Sequence, residues 1–131
     1  MLNLNEAFVL IRARWQIEMI FKLWKSHGKI DEWRSKEPWR ILCEVYAKLL
    51  AMVIQHWIFL TGCWEYPDRS IFKAAKTIQG FAMSLAVAFA LGTEKRLYEV
   101  LEIIRHCLSV GCRINKSKVK PHTYQLLMAF D

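Results

Sequence analysis

Residues 12–28, RARWQIEMIFKLWKSHG, decide how the chain is read. Arg14, Glu18, Lys22 and Lys25 stand at offsets of four, four and three. At about 3.6 residues per turn these four share one helix face, within an arc of roughly 80°. Ala13, Ile17, Ile20, Phe21 and Trp24 fall on an adjoining face, which is expected to be buried. Such a helix anchors by its aromatic side and presents one carboxylate among three cations. Read as an ordinary charge stripe, Glu18 pairs with Lys22 and Arg14, each pair contributing roughly 0.2–0.5 kcal/mol.

The rest of the chain reads as helix on either side of this stretch. Asn3 followed by Glu6 resembles a capping box, so the first helix is expected over residues 5–27, with Gly28 as its stop. KIDEWRSKE, residues 29–37, is a polar connector. Pro38 suits the first turn of a second helix that continues to Gly62. Pro67 and Asp68 precede a third, from about Ser70 to Leu91 and closed by Gly92. Thr93 caps a fourth, in which Leu97, Val100, Leu101, Ile104 and Leu108 follow amphipathic spacing before Gly111 ends it. Residues 112–131 form a tail that is basic first and then apolar. Arg105, Arg113, Lys116, Lys118 and Lys120 are its positive charges and those leading into it, with no acid among residues 105–120. No stretch reads as a strand, so the fold class is mainly α, with about four helices.

Composition limits the function classes. Hydrophobic residues make up 54% of the 131, with six Trp and seven Phe, which excludes intrinsic disorder. The net charge of +7 favours a polyanionic partner, either nucleic acid or an anionic membrane face. Cys43, Cys63, Cys107 and Cys112 show no C-x-x-C spacing. A zinc site from Cys107, Cys112, His106 and His122 is disfavoured for that reason, and reduced thiols in a cytoplasmic protein are expected. No segment reads as a signal peptide. The uncharged stretches 49–64 and 77–93 carry polar residues and fall short of the roughly 18 apolar residues a span needs, so core helices are expected and no membrane. Trp15, Trp24, Trp39, Trp57 and Trp64 are read as core or interface side chains rather than base-stacking platforms, and His56 as a satisfied core histidine.

The stripe has a more specific counterpart. Arg14-x3-Glu18-x6-Lys25 resembles the Y-x2-R-x3-E-x6-K signature of bacterial insertion-sequence DDE transposases. RARWQIE, FKLWKSHG, PWRILCEVYAKLLAMVIQHW and PDRSIFKAAKTI are similar to that family as well, so the resemblance spans approximately residues 5–127. One position departs from it: Ile11 stands where the family has a tyrosine understood to contact DNA.

The resemblance implies a C-terminal, mostly helical segment of an RNase H-like catalytic domain whose strands are missing. It divides as a glutamate helix at 5–27, a helical remainder at 38–111 and a basic tail at 112–131. Glu18 matches the catalytic, metal-binding glutamate; Arg14 and Lys25 match the phosphate-holding cations. Lys22 lies on the same face and is carried as a DNA-binding residue by inference. In the complete enzyme two aspartates join the glutamate to hold Mg²⁺, which activates the attacking oxygen and stabilises the leaving one. Asp31, Glu32 and Glu44 match neither aspartate, and nothing before Glu18 supplies the strands. A lone glutamate among three cations disfavours a divalent ion, so neither metal nor catalysis is expected of the isolated chain. The implied function is a fragment of an enzyme that binds transposon ends, cuts DNA and joins it to a target. Its partners would be DNA and either the missing N-terminal part or further copies of itself, because a missing layer leaves apolar area exposed. The alternative is a stand-alone basic helical module that binds nucleic acid or a protein partner. A two-span membrane protein is the third reading, and the lengths of the uncharged stretches argue against it.

Overall fold

A computed structural model describes residues 3–115 and 121–130. In chain order the helices are α1 (Leu4–Ser26), α2 (Pro38–Cys63), α3 (Ile71–Gly80), α4 (Ala82–Leu91), α5 (Glu94–Val110) and the short α6 (Thr123–Leu127), followed by a 3-10 turn at Met128–Phe130. No strand occurs among the described residues; Arg69 and Arg113 form an isolated antiparallel bridge. The fold is mainly α, as the apolar periodicity requires. The chain divides into two compact units: α1 through Glu32 together with the described residues from Asn115 onward, and Trp33–Ile114.

In the first unit α1 starts where its cap residues dictate. The Asn3 backbone N–H donates to Glu6 Oε2 at 2.8 Å, as a capping box does. The helix stops at Ser26, earlier than residue 27, with the His27 and Gly28 N–H groups both donating to the Leu23 carbonyl at 2.8 and 3.3 Å. The left-handed residue is Lys29, at φ 46°, and Gly28 is not the one that turns the chain. The expected buried face is also corrected. Val9 and Leu23 are the buried side chains of α1, whereas Ile17 and Phe21 are exposed and Trp24 is half-buried with its ring edge-on to Phe21. α6, which packs on α1, is five residues long and covers only a narrow strip of it.

The second unit holds a continuous core of Ile58, Cys63, Ala74, Ile78, Leu85, Ala88, Val100, Ile104 and Leu108. α5 buries Val100, Ile104 and Leu108, with Leu97 and Leu101 packed against them, which is the face its spacing marks. The helix expected over residues 70–91 is two helices, bent by 54°. Gly80 is a weak helix former, and Phe81 after it sits at φ −97°, ψ 5°, with its N–H bonded three residues back to Ile78 O. That break lays Phe81 against the core. At the far end of α4, Gly92 adopts φ 63° and closes the helix.

Two polar devices join these helices. Gln55 Nε2 on α2 donates to Ala75 O on α3 at 2.8 Å. Arg69, buried in the loop before α3, donates from Nε to Leu108 O at 3.0 Å and from Nη2 to Ser109 O, with Asp68 paired to its Nη1. A guanidinium at the C-terminus of α5 satisfies carbonyls that the helix cannot, and it meets the negative end of the dipole. The Tyr66 ring lies beneath it at 4.8 Å. Burial pushes the Cys63 thiol up to about 11, so at neutral pH it behaves as a small apolar side chain.

The expectation that the uncharged stretch 49–64 falls short of a span and forms a core helix is corrected: α2 is long and apolar enough to cross a membrane by length and composition, and 6% of its most apolar 18 residues are buried. It also carries Arg40, Glu44 and Lys48 in its N-terminal half.

Candidate functional site

α1 brings the four sequence-marked residues to one face. Arg14, Glu18, Lys22 and Lys25 are all exposed, one helical turn apart along the axis. Lys25 Nζ lies 3.5 Å from Asp31 Oδ2 in the connector, both side chains well solvated. Among the described residues no ion pair forms between Glu18 and its neighbours Arg14 and Lys22, so the charge-stripe reading of Glu18 is not realised. The carboxylate stands in the field of three cations without being tied down by any of them. Exposed apolar side chains border this stripe on both sides, Leu10, Ile17 and Phe21 along one and Phe8 and Trp15 along the other. The α1 face is thus a charged ridge between two exposed apolar borders.

The donor set does not fit Mg²⁺ by itself. Hard cations want several carboxylate or carbonyl oxygens, and among the described residues no three His, Cys, Asp or Glu side chains come together. Glu44 is engaged elsewhere: its Oε2 accepts the Arg34 N–H at 3.1 Å and its Oε1 pairs with Lys48 at 3.0 Å, which holds the connector to α2. Glu32 pairs with Lys29 at 3.2 Å. Cys112 Sγ lies 3.3 Å from Thr77 Oγ1. The basic cluster Lys116, Lys118 and Lys120 lies outside the described residues.

Four tryptophans expected in core or interface positions are not core in this chain: Trp15, Trp39, Trp57 and Trp64 are exposed, because the helices that carry them turn other faces to the core. His56 is half-buried with Nδ1 2.8 Å from Met52 O. A cavity of about 440 Å³ that the sequence reading missed lies between the end of α2 and α5, lined by Trp64, Glu65, Glu102, Arg105, His106 and Ser109 among others. Residues from separate helices make it, so no local motif announces it.

Residues 4–54, which contain α1 and most of α2, match the family model described as "Transposase DDE domain". The transposase for insertion sequence element IS231F of Bacillus thuringiensis subsp. israelensis is 41% identical over 139 residues, covering 98% of this chain and 26% of the relative. That for IS231B of Bacillus thuringiensis subsp. berliner is 49% identical over 129 residues, 90% of this chain and 24% of the relative. That for IS1151 of Clostridium perfringens is 36% identical over 61 residues, 47% of this chain and 13% of the relative. No solved structure matches. The chain spans about a quarter of the length of the IS231-type relatives it matches.

Proposed function

The chain belongs to the insertion-sequence DDE transposase family, and from that premise we propose that it is the glutamate-bearing helical segment of an enzyme that binds transposon ends, cleaves DNA and transfers the strand to a target. α1 is the functional element. Glu18 is one carboxylate of a Mg²⁺ site whose two aspartates come from outside these residues, and Mg²⁺ belongs to the complete site rather than to this chain. Arg14, Lys25 and Lys22 hold backbone phosphates next to it, as cations do at nucleic-acid sites generally. The place of work is the cytoplasm, where bacterial DNA lies.

The observation that carries this reading is the single exposed carboxylate set among three cations on one face of α1, inside the family-matched span. The apolar borders of that face suit a helix meant to be covered by the aspartate-bearing part. Ile11 stands one turn from the stripe without a hydroxyl, so it contributes no hydrogen bond to a bound phosphate.

The test uses a full-length insertion-sequence transposase that carries this segment. Glu18→Ala is expected to reduce strand transfer by at least about a hundredfold, a scale usual for loss of an electrostatic catalytic group, while binding to transposon ends persists. Lys25→Ala is expected to weaken end binding and flatten its salt dependence. Unchanged strand transfer in the Glu18 variant would overturn the assignment.

A further inference from the structure

We propose that the exposed face of α3, with the segment that leads out of α5, is a second grip on the phosphate backbone of duplex DNA, built from other residues than the stripe on α1. α3 turns Ala74, Ala75 and Ile78 into the core. Its outward side chains include Lys73 and Lys76, which lie about 60° apart around the helix. Backbone pairing brings a third cation to the same edge. The Ser70 N–H donates to Cys112 O at 2.7 Å and the Ile114 N–H to Asp68 O at 2.8 Å, so residues 112–114 run antiparallel to residues 68–70. Arg113 is thereby fixed beside the start of α3 and is exposed, and Lys73 Nζ donates to its carbonyl at 2.7 Å.

The balance of charge sets this face apart from others of its unit. Residues 68–80 and 111–114 carry four cations and one acid. The acid, Asp68, is paired with the buried Arg69, which leaves Lys73, Lys76 and Arg113 as the surface surplus. α5, by contrast, carries three cations and three acids, with Arg96 paired to Glu99 and Arg105 to Glu102. Beyond Arg113 the sequence continues through Lys116, Lys118 and Lys120 without an acid. A concentrated surplus of this kind favours a polyanion.

The surroundings of the cations select which polyanion. Among the described residues between Pro67 and Ala82 no large apolar side chain is exposed. Contact with an anionic membrane surface needs apolar side chains that enter the headgroup layer, and a face meant to be covered by protein is apolar at its centre. Neither condition is met. Single-stranded nucleic acid is held by exposed aromatic rings as well as by charge, whereas Phe72 and Phe81 are half-buried, Phe81 against the core. Charge without stacking or apolar contact fits the regularly charged backbone of a duplex. The ammonium groups of Lys73 and Lys76 are point charges without the planar fork that reads a base edge, so the grip is on phosphates and indifferent to sequence. The inference shares DNA as the ligand with the function proposed for α1 and uses none of the α1 residues.

Fluorescence anisotropy of the 131-residue chain with a labelled duplex of arbitrary sequence, titrated at several salt concentrations, tests it. Lys73→Gln combined with Lys76→Gln is expected to weaken binding by on the order of tenfold at low salt, and to reduce the slope of log K against log salt by about 1.8, two phosphate contacts at about 0.9 each. Lys76→Gln alone is expected to give about half that change in slope, with circular dichroism and urea midpoint as in the wild type. Lys95→Gln on the charge-balanced α5 removes the same charge and is expected to change affinity by less than about twofold. Equal losses from Lys95→Gln and Lys76→Gln overturn the proposal, because net charge and not this face would then account for binding. Unchanged DNA binding in the double variant overturns it as well; if binding to phosphatidylserine vesicles weakens instead, the face belongs to a membrane. In a full-length transposase carrying this segment, the double variant is expected to lose affinity for an unrelated duplex while Glu18→Ala keeps it. No loss there means that the rest of the enzyme covers the face, and overturns the proposal; a loss confined to transposon-end duplexes overturns the sequence-neutral grip. Failure of the α1 assignment is read in strand transfer and leaves these binding curves in place.

Discussion

Glu44 shows how a single carboxylate in a charged chain is assigned to structure rather than to chemistry. It accepts the Arg34 backbone N–H and pairs with Lys48, and these partners, the N–H first, hold its carboxyl below its ordinary value of 4.5. A carboxylate with a lowered folded pKa contributes stability that is present above its unfolded pKa and is lost as pH falls through the folded one. Glu44→Gln is therefore expected to lower the urea midpoint at neutral pH while leaving it unchanged well below pH 4.5, where the wild-type carboxylate is protonated too. Equal losses at both pH values would assign the effect to packing instead of charge. Glu18 contrasts with it at the same scale: exposed, flanked by cations and engaged by none of its stripe neighbours. The stripe itself was legible from spacing alone, because helix geometry fixes which side chains share a face. Whether Glu18 would be consumed by a neighbouring lysine was not legible, since a side chain's choice between solvent and an ion pair worth a few tenths of a kcal/mol is below what spacing decides.

Helix boundaries were readable where a residue type forces the backbone. Asn3 with Glu6, Pro38 and Gly92 each sit at the end that their chemistry marks. The break at Phe81 was not readable, because the apolar run through residues 77–91 suits one helix as well as two, and only the core between α3, α4 and α5 selects the bend. The same limit applies to α1, whose buried side depends on which partner covers it. Close approach of helices is another element-scale property that a sequence does not display. A Cβ built on Gly62 would lie 2.8 Å from Leu108 Cδ1, and Leu108 is fully buried on α5. In an open helix Gly→Ala gains about 1 kcal/mol. Here the methyl must push Leu108 into a packed core, and overpacking of that kind costs about 1–3 kcal/mol. Gly62→Ala is expected to destabilise the chain on balance, with a lower urea midpoint and an unchanged slope. A stabilised variant would show that α2 and α5 are less tightly pressed than their geometry implies.

At the scale of the whole molecule, stability is distributed unevenly. All nine residues of the continuous core belong to Trp33–Ile114, whereas in the described part of the other unit Val9 and Leu23 are the buried hydrophobics. With Val9 and Leu23 as its buried side chains, α1 has little apolar burial to hold it in place. The second unit has both the core and the polar joints, Gln55 to Ala75 and Arg69 to the end of α5. A unit of about 80 residues is large enough to fold alone. Residues 33–114 expressed by themselves are therefore expected to unfold cooperatively, with a midpoint within a few degrees of the full chain. The helical signal of α1 in the full chain is expected to fade over a broader range. Both melts are run at two protein concentrations, so that any association shows as a concentration-dependent midpoint. If 33–114 shows no cooperative transition while the full chain does, then α1 is part of the fold's foundation. The uncovered apolar borders of α1 would then need a structural explanation inside this chain, rather than one supplied by the remainder of a transposase.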